Sequence, residues 1–304
     1  MILSISLNSA YQKVLLFEAF KEGGVLRASN LYTAPSGKGI NVARALRTLG
    51  SNVTAAGFIG GSNASLILKE LKEERVSSDF IITAANTRVC TTIINKSNRS
   101  FTELIEPSGK ISSSEVTALK KKLSALLKKA KLATISGTLP PGVPENFYNW
   151  IITEAAKNNV RVLTDICNAP MKSAVSARPY LIKMNHEEFS ATFGSQNTES
   201  KIYQLFKKGI SWVIVTDGKE RFLAGASGKV FLVTPPKIKV INGVGSGDAM
   251  LAGIAYGISK GLCPEETLKL GSAAGAASTL TIRPAEFDIG VMKKLVRRVN
   301  VKLL

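Results

Sequence analysis

The sequence predicts an α/β fold: a mostly parallel central sheet with helices on both faces, and a small additional β-sheet outside it. Two observations favour this fold. Strand-like apolar runs alternate with amphipathic helical segments through most of the 304 residues, an order typical of parallel sheets whose strands are joined by helices. The alternation is interrupted over 11–35 and 87–107, where strand-like pieces follow one another without a helix between them.

Each element of the main layer is predicted from its own apolar pattern. Helices are expected where apolar residues recur every three or four positions, as at Ile40, Ala43 and Leu46, because this spacing places them on one face. The predicted strands cover 3–7, 53–58, 132–136, 160–165, 180–184 and 212–216, and the predicted helices cover 39–49, 65–74 and 145–158.

The two interrupted stretches contain four short strand-like pieces, at 14–20, 25–32, 89–95 and 100–105. Short antiparallel strands gathered from two separate segments would form a small sheet outside the main layer. Spacing alone leaves two interpretations open: a lid over a cleft, or a simple extension of the sheet edge.

Composition excludes several classes of protein. With 45% apolar and 20% charged residues, the chain has enough material for a large core and lacks the composition of a disordered protein. No apolar stretch reaches the ~18 residues of a membrane-spanning helix. Residues 1–8 alternate apolar and polar side chains, and no basic residue precedes their apolar stretch. This pattern predicts a strand and not a secretion signal. The cysteine usage makes a reducing cytoplasm the expected location.

Histidine and cysteine usage narrows the chemistry further. The cysteines Cys90, Cys167 and Cys263 lie far apart and are odd in number, which argues against a disulfide framework or a zinc site. His186 is the single histidine and is interpreted as an exposed turn residue. Catalysis is therefore expected to use carboxylates, lysines, arginines and backbone dipoles.

The charge balance is strongly basic, with 40 Lys+Arg against 22 Asp+Glu and a formal net charge of +18. Such a field attracts anions, so nucleic acid, anionic membranes and phosphorylated metabolites are candidate partners. The lysines at 120–122, 128, 129 and 131 are interspersed with leucines at helical spacing, which predicts a solvated helix face. No aromatic residues interleave with them to stack bases, so this interpretation is preferred over a nucleic-acid site.

One glycine-rich segment, 242–253, has the pattern of an anion-binding turn. Gly243, Gly245 and Gly247 follow a β-like run over 237–241 and open a helix predicted to continue to about residue 259. Successive backbone N–H groups at a helix start form a concavity that binds anions. Asp248, in the first turn, is either a helix cap or a base beside this concavity. The segment does not match the dinucleotide-binding or P-loop patterns.

A second glycine-rich segment lies at 35–45. Gly37 and Gly39 lead directly into a predicted helix, with Lys38 and Asn41 near its start. This pattern predicts either a tight strand-to-helix turn or a site where the backbone and the Asn41 amide contact a polyhydroxylated ligand.

Together these segments resemble the paired signatures of the PfkB family of carbohydrate kinases, which have a ribokinase-like fold. The first reads Ser36-Gly-Lys-Gly-Ile-Asn41 and the second ends Gly245-Ser-Gly-Asp248. Residues 136–144 are similar to the family's SGSLPPGVP stretch, and 183–188 to its KPNxxE motif. The resemblance runs from about residue 1 to 285 and is strongest to the phosphosugar branch, which includes 1-phosphofructokinase and tagatose-6-phosphate kinase.

The resemblance implies ATP-dependent transfer of a phosphoryl group to a hydroxyl of a phosphosugar, of the fructose 1-phosphate or tagatose 6-phosphate type. Asp248 would be the base, and the N–H groups of Gly245, Ser246 and Gly247 would hold the transferring group. Mg²⁺ would be ordered through water by Asn185 and Glu188. The implied sugar contacts are Gln12, Gly37, Lys38, Asn41 and Thr138, with Arg88 near the existing phosphate; the implied nucleotide contacts are Lys183, Asn185, Thr216, Gly218 and Gly243.

The resemblance also implies an organisation into a core (1–10, 36–86 and 108–304) and a β-sheet lid (11–35 and 87–107) that commonly forms a dimer contact. The expected partners are the phosphosugar, ATP and a second copy of the chain, with no membrane or nucleic acid. One departure concerns the sugar: Gln12 stands where the branch carries an Asp. An amide accepts through only one oxygen. A kinase for an unphosphorylated sugar or nucleoside, and a catalytically weak ligand-sensing protein, therefore remain alternatives.

Overall fold

A computed structural model describes residues 1–195 and 197–304 and contains two sheets. The strands are β1 (Ile2–Ser6), β2 (Ala10–Phe17), β3 (Asn30–Ser36), β4 (Val53–Gly60), β5 (Ser77–Thr83), β6 (Arg88–Asn95), β7 (Ser100–Ile105), β8 (Leu132–Ser136), β9 (Arg161–Asp165), β10 (Leu181–Asn185), β11 (Trp212–Thr216), β12 (Phe222–Ala226), β13 (Lys229–Thr234) and β14 (Asn300–Leu303). The helices are α1 (Lys38–Thr48), α2 (Gly61–Glu73), α3 (Ser113–Leu127), α4 (Phe147–Ala156), α5 (Asn168–Val175), α6 (His186–Phe193), α7 (Thr198–Lys207), α8 (Ser246–Ser259), α9 (Pro264–Ser278) and α10 (Ile289–Val296).

The central sheet has ten strands in the order β14-β13-β12-β11-β10-β9-β8-β1-β4-β5. Strands β11 to β5 in this order are parallel, while β12, β13 and β14 extend the sheet as antiparallel neighbours. Strand β1 lies inside the sheet, and all five of its residues are buried. The parallel arrangement brings the carboxyl ends of β1, β8, β9, β10 and β11 to one edge, where α/β proteins bind ligands.

Helices cover both faces of this sheet, which confirms the predicted fold class. On one face α1, α2, α8, α9 and α10 pack around one apolar core, which includes Ile40, Ile67 and Leu251. On the other, α3 to α7 pack around a second core, which includes Leu119, Phe147 and Phe189. Helix α3 buries its leucine stripe and leaves the lysines at its surface, as the amphipathic spacing predicts. No helix in the described ranges has the length and apolarity needed to cross a bilayer.

The small sheet has four strands in the order β3-β2-β6-β7. The pairs β2–β3 and β6–β7 are antiparallel, but β2 and β6 run parallel, so the expectation of a purely antiparallel sheet was wrong. Because β2 and β6 each enter this sheet from the main layer, they run in the same direction. The third strand also begins later than predicted. Residues 20–28 form no strand, since glycines at 23 and 24 interrupt the chain and Val25 is 88% exposed.

Other element boundaries also differ from the expectations, among them that of β2, which spans Ala10–Phe17 and not 14–20. The run 237–241 is not a strand: Val240 and Ile241 are about half exposed, and the Ile241 N–H donates to the carbonyl of Thr279 instead of to a neighbouring strand. Helix α2 begins at Gly61, four residues before the prediction. Its first turn is polar and glycine-containing, so apolar periodicity could not locate its start.

Candidate active site

A cleft of about 810 Å³ lies between the carboxyl edge of the central sheet and the inner face of the small sheet. All residues that the sequence analysis predicted for the site line this cleft. These are Gln12, Gly37, Lys38, Asn41, Arg88, Thr138, Lys183, Asn185, Glu188, Thr216, Gly218, Gly243, Gly245, Ser246, Gly247 and Asp248. The two glycine-rich segments, about 200 residues apart in sequence, therefore face the same cavity.

The turn at the start of α8 presents backbone amides to this cleft. Gly245 has φ +79°, and a side chain there would place a Cβ only 2.7 Å from the backbone nitrogen of Ala285, so glycine is required on both counts. Within the described residues, the N–H groups of Gly245 and Gly247 have no protein acceptor, while that of Ser246 makes a long 3.3 Å bond to the carbonyl of Gly243. At a helix start such amides can receive an anion.

Asp248 lies in the first turn of α8 and is 5% exposed. Gly245 occupies the cap position and the Asp248 side chain does not cap the helix; its Oδ2 instead accepts a 2.9 Å hydrogen bond from Nδ2 of Asn41 in α1. Burial raises the pKa of Asp248 to about 7, with a further contribution from the charge of Asp165, against the lowering effect of Lys38. A carboxyl group with this pKa is suited to accept a proton near neutral pH.

Two lysines and two carboxylates form a cluster beside Asp248. Asp165, at the end of β9, accepts from Lys183 at 2.5 Å and from Lys38 at 2.9 Å. Lys38 also lies 3.7 Å from Glu188. Burial opposes the charge of Asp165, but the two ammonium groups outweigh it and hold its pKa well below the usual range. In turn, the Asp165 carboxylate raises the pKa of Lys38. Lys38 is therefore held in the charged form.

One of these lysines adjoins the α8 turn. A Cβ added to Gly247 would lie 3.0 Å from Nζ of Lys183. The ammonium group, the unpaired amides and the positive end of the α8 dipole thus converge on one region of the cleft. This arrangement can stabilise negative charge that develops next to Asp248.

At the small-sheet end of the cleft, Gln12 and Arg88 stand on adjacent strands. Nε2 of Gln12 donates to Thr92 at 2.9 Å and to the Lys13 carbonyl at 3.1 Å, so its orientation is fixed. Nε of Arg88 is buried and has no hydrogen-bond partner among the described residues. A buried guanidinium nitrogen without an acceptor carries a desolvation penalty that an anionic ligand would relieve.

Asn185 and Glu188 have a structural role that sequence reasoning did not anticipate. They form the capping box of α6: Oδ1 of Asn185 accepts from the Glu188 N–H at 2.7 Å, and Oε2 of Glu188 accepts from the Asn185 N–H at 3.0 Å. The other oxygen of Glu188 faces Lys38. The described residues contain no group of three His, Cys, Asp or Glu side chains arranged to hold a metal ion.

Other nominated residues occupy supporting positions. Thr138 accepts a 2.9 Å hydrogen bond from the amide of Asn8, and Thr216 donates to the Met184 carbonyl. Gly218 has φ +55°, a conformation that glycine adopts without strain. His186 is exposed, as expected, but it begins α6 at the edge of the cleft and is not in a turn.

Sequence reasoning missed several residues of the cleft, of which Asp165 is the most important. Its position was a usable signal, because it ends a predicted parallel strand at the edge where such sheets bind ligands. The others come mainly from the inner face of the small sheet: Cys90, Phe101, Glu103 and Ile105. Their orientation depends on the pairing of β6 with β7, which the sequence pattern did not determine.

The fold and the cleft together define an α/β protein with a buried carboxylate beside a helix start whose amides face the cleft. The family model described as pfkB family carbohydrate kinase matches residues 3–286. The chain therefore belongs to the pfkB family of carbohydrate kinases. It is a sugar kinase, a phosphotransferase with an alcohol group as acceptor, and membership of a kinase family implies ATP as its co-substrate.

Solved structures show the same fold over the whole chain. A candidate phosphofructokinase of Staphylococcus aureus is 27% identical, with a TM-score of 0.83 over 100% of this chain and 99% of that one. A variant of phosphofructokinase-2 of Escherichia coli is 25% identical, with a TM-score of 0.90 over 97% and 98%. A possible 1-phosphofructokinase of Thermotoga maritima is 23% identical, with a TM-score of 0.91 over 100% and 99%; that likeness concerns the fold.

Proposed function

We propose that the chain transfers the γ-phosphoryl group of ATP to a hydroxyl of a phosphosugar, of the fructose 1-phosphate or tagatose 6-phosphate type. The observation that carries this proposal is the position of Asp248, which is buried, held by Asn41 and adjacent to a helix start with unpaired amides. The similarity to proteins described as phosphofructokinases supports the acceptor class.

In the proposed reaction the acceptor hydroxyl attacks the γ-phosphorus, the bond from that phosphorus to the bridging oxygen of ADP breaks, and the hydroxyl proton passes to Asp248. The amides of Gly245, Ser246 and Gly247 and the ammonium of Lys183 would receive the charge on the transferring group. Asp165 keeps Lys38 charged, and its ion pairs fix the positions of Lys183 and Lys38. Asn41 and Gly37, at the start of α1, would orient the sugar next to Asp248.

Arg88 is the proposed partner of the phosphate that the acceptor already carries. Its Nε is buried and has no acceptor in the part of the chain that the structure describes, and a guanidinium group binds phosphate with fixed geometry. Gln12 lies on the neighbouring strand, at the position paired with Cys90, and its amide would contact a sugar hydroxyl. Gly218, Thr216 and Gly243, which line the same cleft, would contact the nucleotide.

Mg²⁺ fits the site as an ion carried mainly by the nucleotide. Such ions keep several waters and use one or two protein carboxylates together with phosphates, and Glu188 has one oxygen outside its capping hydrogen bond. Asn185, whose side-chain oxygen caps α6, would act through water. When bound, the ion would neutralise phosphate charge.

A kinase for an unphosphorylated sugar or nucleoside is the second candidate function, and Glu103 is the observation that favours it. This carboxyl group lines the same end of the cleft as Arg88. Partial desolvation by the surrounding cleft raises its pKa, and the charge of Arg88 partly offsets this effect. Glu103 could accept hydroxyl groups where the first proposal places a phosphate.

We further propose that the chain forms a homodimer through the small sheet. Strand β7 is exposed along its whole length and forms the edge of that sheet. Leu104 and Leu31 are more than half exposed, and edge strands with apolar side chains readily pair with a second copy.

The test of the catalytic proposal is an ADP-release assay with ATP, Mg²⁺ and a panel of ketose phosphates, unphosphorylated sugars and nucleosides. We expect the ketose phosphates to give the highest kcat/KM. Asp248→Asn should lose roughly 10²–10⁴-fold in kcat, the usual contribution of a general base. The matched control is Asp79→Asn, a surface carboxylate paired with Lys122, which should keep the parental rate. An Asp248→Asn protein as active as the parent contradicts the assigned base, and a preference for unphosphorylated acceptors supports the second candidate.

A further inference from the structure

A loop that is not part of the cleft supports the α8 turn from behind. A Cβ on Gly245 would lie 2.7 Å from the nitrogen of Ala285 and 3.1 Å from Cβ of Pro284, so the two backbones are in contact. The turn and this loop are also joined by Asn242, which is fully buried and donates to the Ile282 carbonyl at 2.8 Å. Any movement of residues 282–285 would therefore displace the amides of the turn.

Arg44 holds this loop from helix α1. Its side chain is 4% exposed, and one terminal nitrogen (Nη1) donates to the carbonyl of Pro284 at 2.9 Å. Its other nitrogens bind Glu74 through two bonds of 2.6 and 2.9 Å. Ala285 has φ +56°, which costs free energy in a residue other than glycine and persists only where the surroundings impose it. The bond from Arg44 to the adjacent carbonyl is one such constraint.

Arg283 connects the same carboxylate to the small sheet. It donates to Glu74 at 3.0 Å and to Glu70 at 3.2 Å, and its Nε donates to the carbonyl of Thr33 in β3 at 2.9 Å. Glu70 also accepts a 2.6 Å bond from the hydroxyl of Tyr11 in β2, the residue next to Gln12. Two of the four strands of the small sheet are thus attached to the network that supports the α8 turn.

We propose that Arg44 and Arg283, bridged by Glu74, are positioning residues that couple the small sheet to the phosphate-binding turn of α8. The inference rests on the proposed function, because it assigns the network its role through the Gly245 amides. Helix α1 contributes twice: Asn41 holds Asp248, and Arg44, one turn later, holds the loop behind the turn. The base and the anion site are thereby held by the same helix.

The experiment compares kcat and KM of Arg44→Lys, Arg283→Lys and the double variant in the ADP-release assay, well below the thermal midpoint of each protein. Lysine keeps the charge but cannot bind Glu74 through two bonds while donating to a carbonyl. We expect Arg44→Lys to lower kcat roughly tenfold to hundredfold, as when reacting groups are displaced by about 1 Å, with little change in KM for ATP. Arg283→Lys should mainly raise KM for the acceptor. The fold loss of kcat/KM in the double variant should be smaller than the product of the fold losses in the two single variants, because both arginines act through Glu74.

The control is Glu286→Gln, since Glu286 pairs with Arg283 at 3.5 Å on the outer side of the network and should leave kcat unchanged. If Arg44→Lys does not fold, Glu74→Gln, which preserves volume, provides the same test. A folded variant with the parental kcat and only a lower thermal midpoint would refute the coupling and assign the network to stability. Asp248→Asn, measured in parallel, separates the two proposals. If Asp248→Asn is inactive and Arg44→Lys keeps the parental kcat, only the coupling is refuted. If Asp248→Asn is fully active, the proposed function is refuted.

Discussion

Two buried carboxylates in one cleft have opposite pKa shifts, and the cause lies in their neighbours. Asp165 accepts from two ammonium groups, which hold its pKa well below the usual range despite burial. Asp248 accepts from one neutral amide, and burial raises its pKa to about 7. Paired groups whose pKa values are pushed apart commonly have different roles. We infer that Asp165 is a permanent counterion and that Asp248 exchanges a proton.

The first prediction at this scale concerns pH. Asp248 accepts a proton only when ionised, so kcat/KM for the acceptor should fall as the pH drops through about 7, the raised pKa of the group. On the acidic side, a plot of log kcat/KM against pH should have a slope near one, because a single group titrates. The measurement is the initial rate of ADP release at low acceptor concentration across this range. A profile that stays flat down to the ordinary pKa of an aspartate would contradict the environment assigned to Asp248.

The second prediction concerns the stability provided by Asp165. Asp165→Asn leaves the buried Lys183 ammonium without its counterion, and breaking a buried pair in this way typically costs about 3–5 kcal/mol. The midpoint of urea unfolding should therefore fall at neutral pH. Because the pKa of Asp165 is depressed in the folded chain, its contribution is present above the ordinary aspartate pKa and is lost as pH falls through the lowered value. The difference between parent and variant should accordingly shrink in strong acid.

The control for Asp165 is Glu154→Gln, which removes an exposed pair with Lys157 and should change the free energy of unfolding by less than about 1 kcal/mol. Equal effects of the two substitutions would mean that the Asp165 cluster behaves as a surface pair.

At the scale of elements, the site is built from the ends of strands and the starts of helices. Asp165 ends β9 opposite Ser136 of β8, and Asn185 ends β10 opposite Thr216 of β11. Parallel register therefore sets these four positions side by side. Helices α1 and α8 begin at the same edge, which brings Lys38 and Asn41 to Asp248.

Local patterns predicted these elements where the signal lies within one segment. The glycine turn before α8 and the apolar stripe of α1 were readable in this way, and each places a predicted site residue in the cleft. The position of Asp165 at the end of a predicted strand indicated the correct edge of the sheet, but nothing in its own segment indicates that Lys38 and Lys183 approach it. The start of β3 was misplaced because Val25 and Leu26 have strand-like side chains but no partner strand. Roles that depend on pairing between distant segments could not be predicted from one sequence.

The third prediction concerns the start of α6, where Glu188 has both a capping role and a proposed role near Mg²⁺. Glu188→Gln keeps an oxygen that can accept from the Asn185 N–H, so the capping box and the thermal midpoint should be nearly unchanged. The loss of charge should raise the Mg²⁺ concentration needed for half-maximal ADP release several-fold, because magnesium prefers carboxylate oxygen.

Glu115→Gln is the matched control for Glu188, since Glu115 makes the same capping box at the start of α3, outside the cleft. It should leave the Mg²⁺ dependence unaltered. If Glu188→Gln also has the parental Mg²⁺ dependence, the residue is a capping residue and has no part in ordering the ion.

At the scale of the whole molecule, most of the positive charge lies outside the cleft. Lys38 and Lys183 are paired with carboxylates inside it, so the formal net charge of +18 arises mostly from surface residues such as those of α3. Such a field accelerates the approach of anionic substrates without selecting among them. Selection therefore falls to the cleft, where Arg88, Glu103 and Gln12 lie on the inner face of the small sheet.

The outer face of the small sheet carries the last prediction, which concerns assembly. Phe101, Glu103 and Ile105 line the cleft, so the alternation of a strand directs Leu104 to the opposite face, where it is 53% exposed. If a second copy covers this face, Leu104→Glu places an unpaired charge in the interface, and the mass measured by light scattering should fall from that of a dimer to that of a monomer. Leu303→Glu, at the edge of the central sheet and 50% exposed, should leave the mass unchanged. A parent that is monomeric at micromolar concentration, or a Leu104→Glu variant that stays dimeric, would exclude this face as the contact.

Loss of the dimer should also raise KM for the acceptor, because the strands that carry Gln12 and Arg88 would lose the support of the partner.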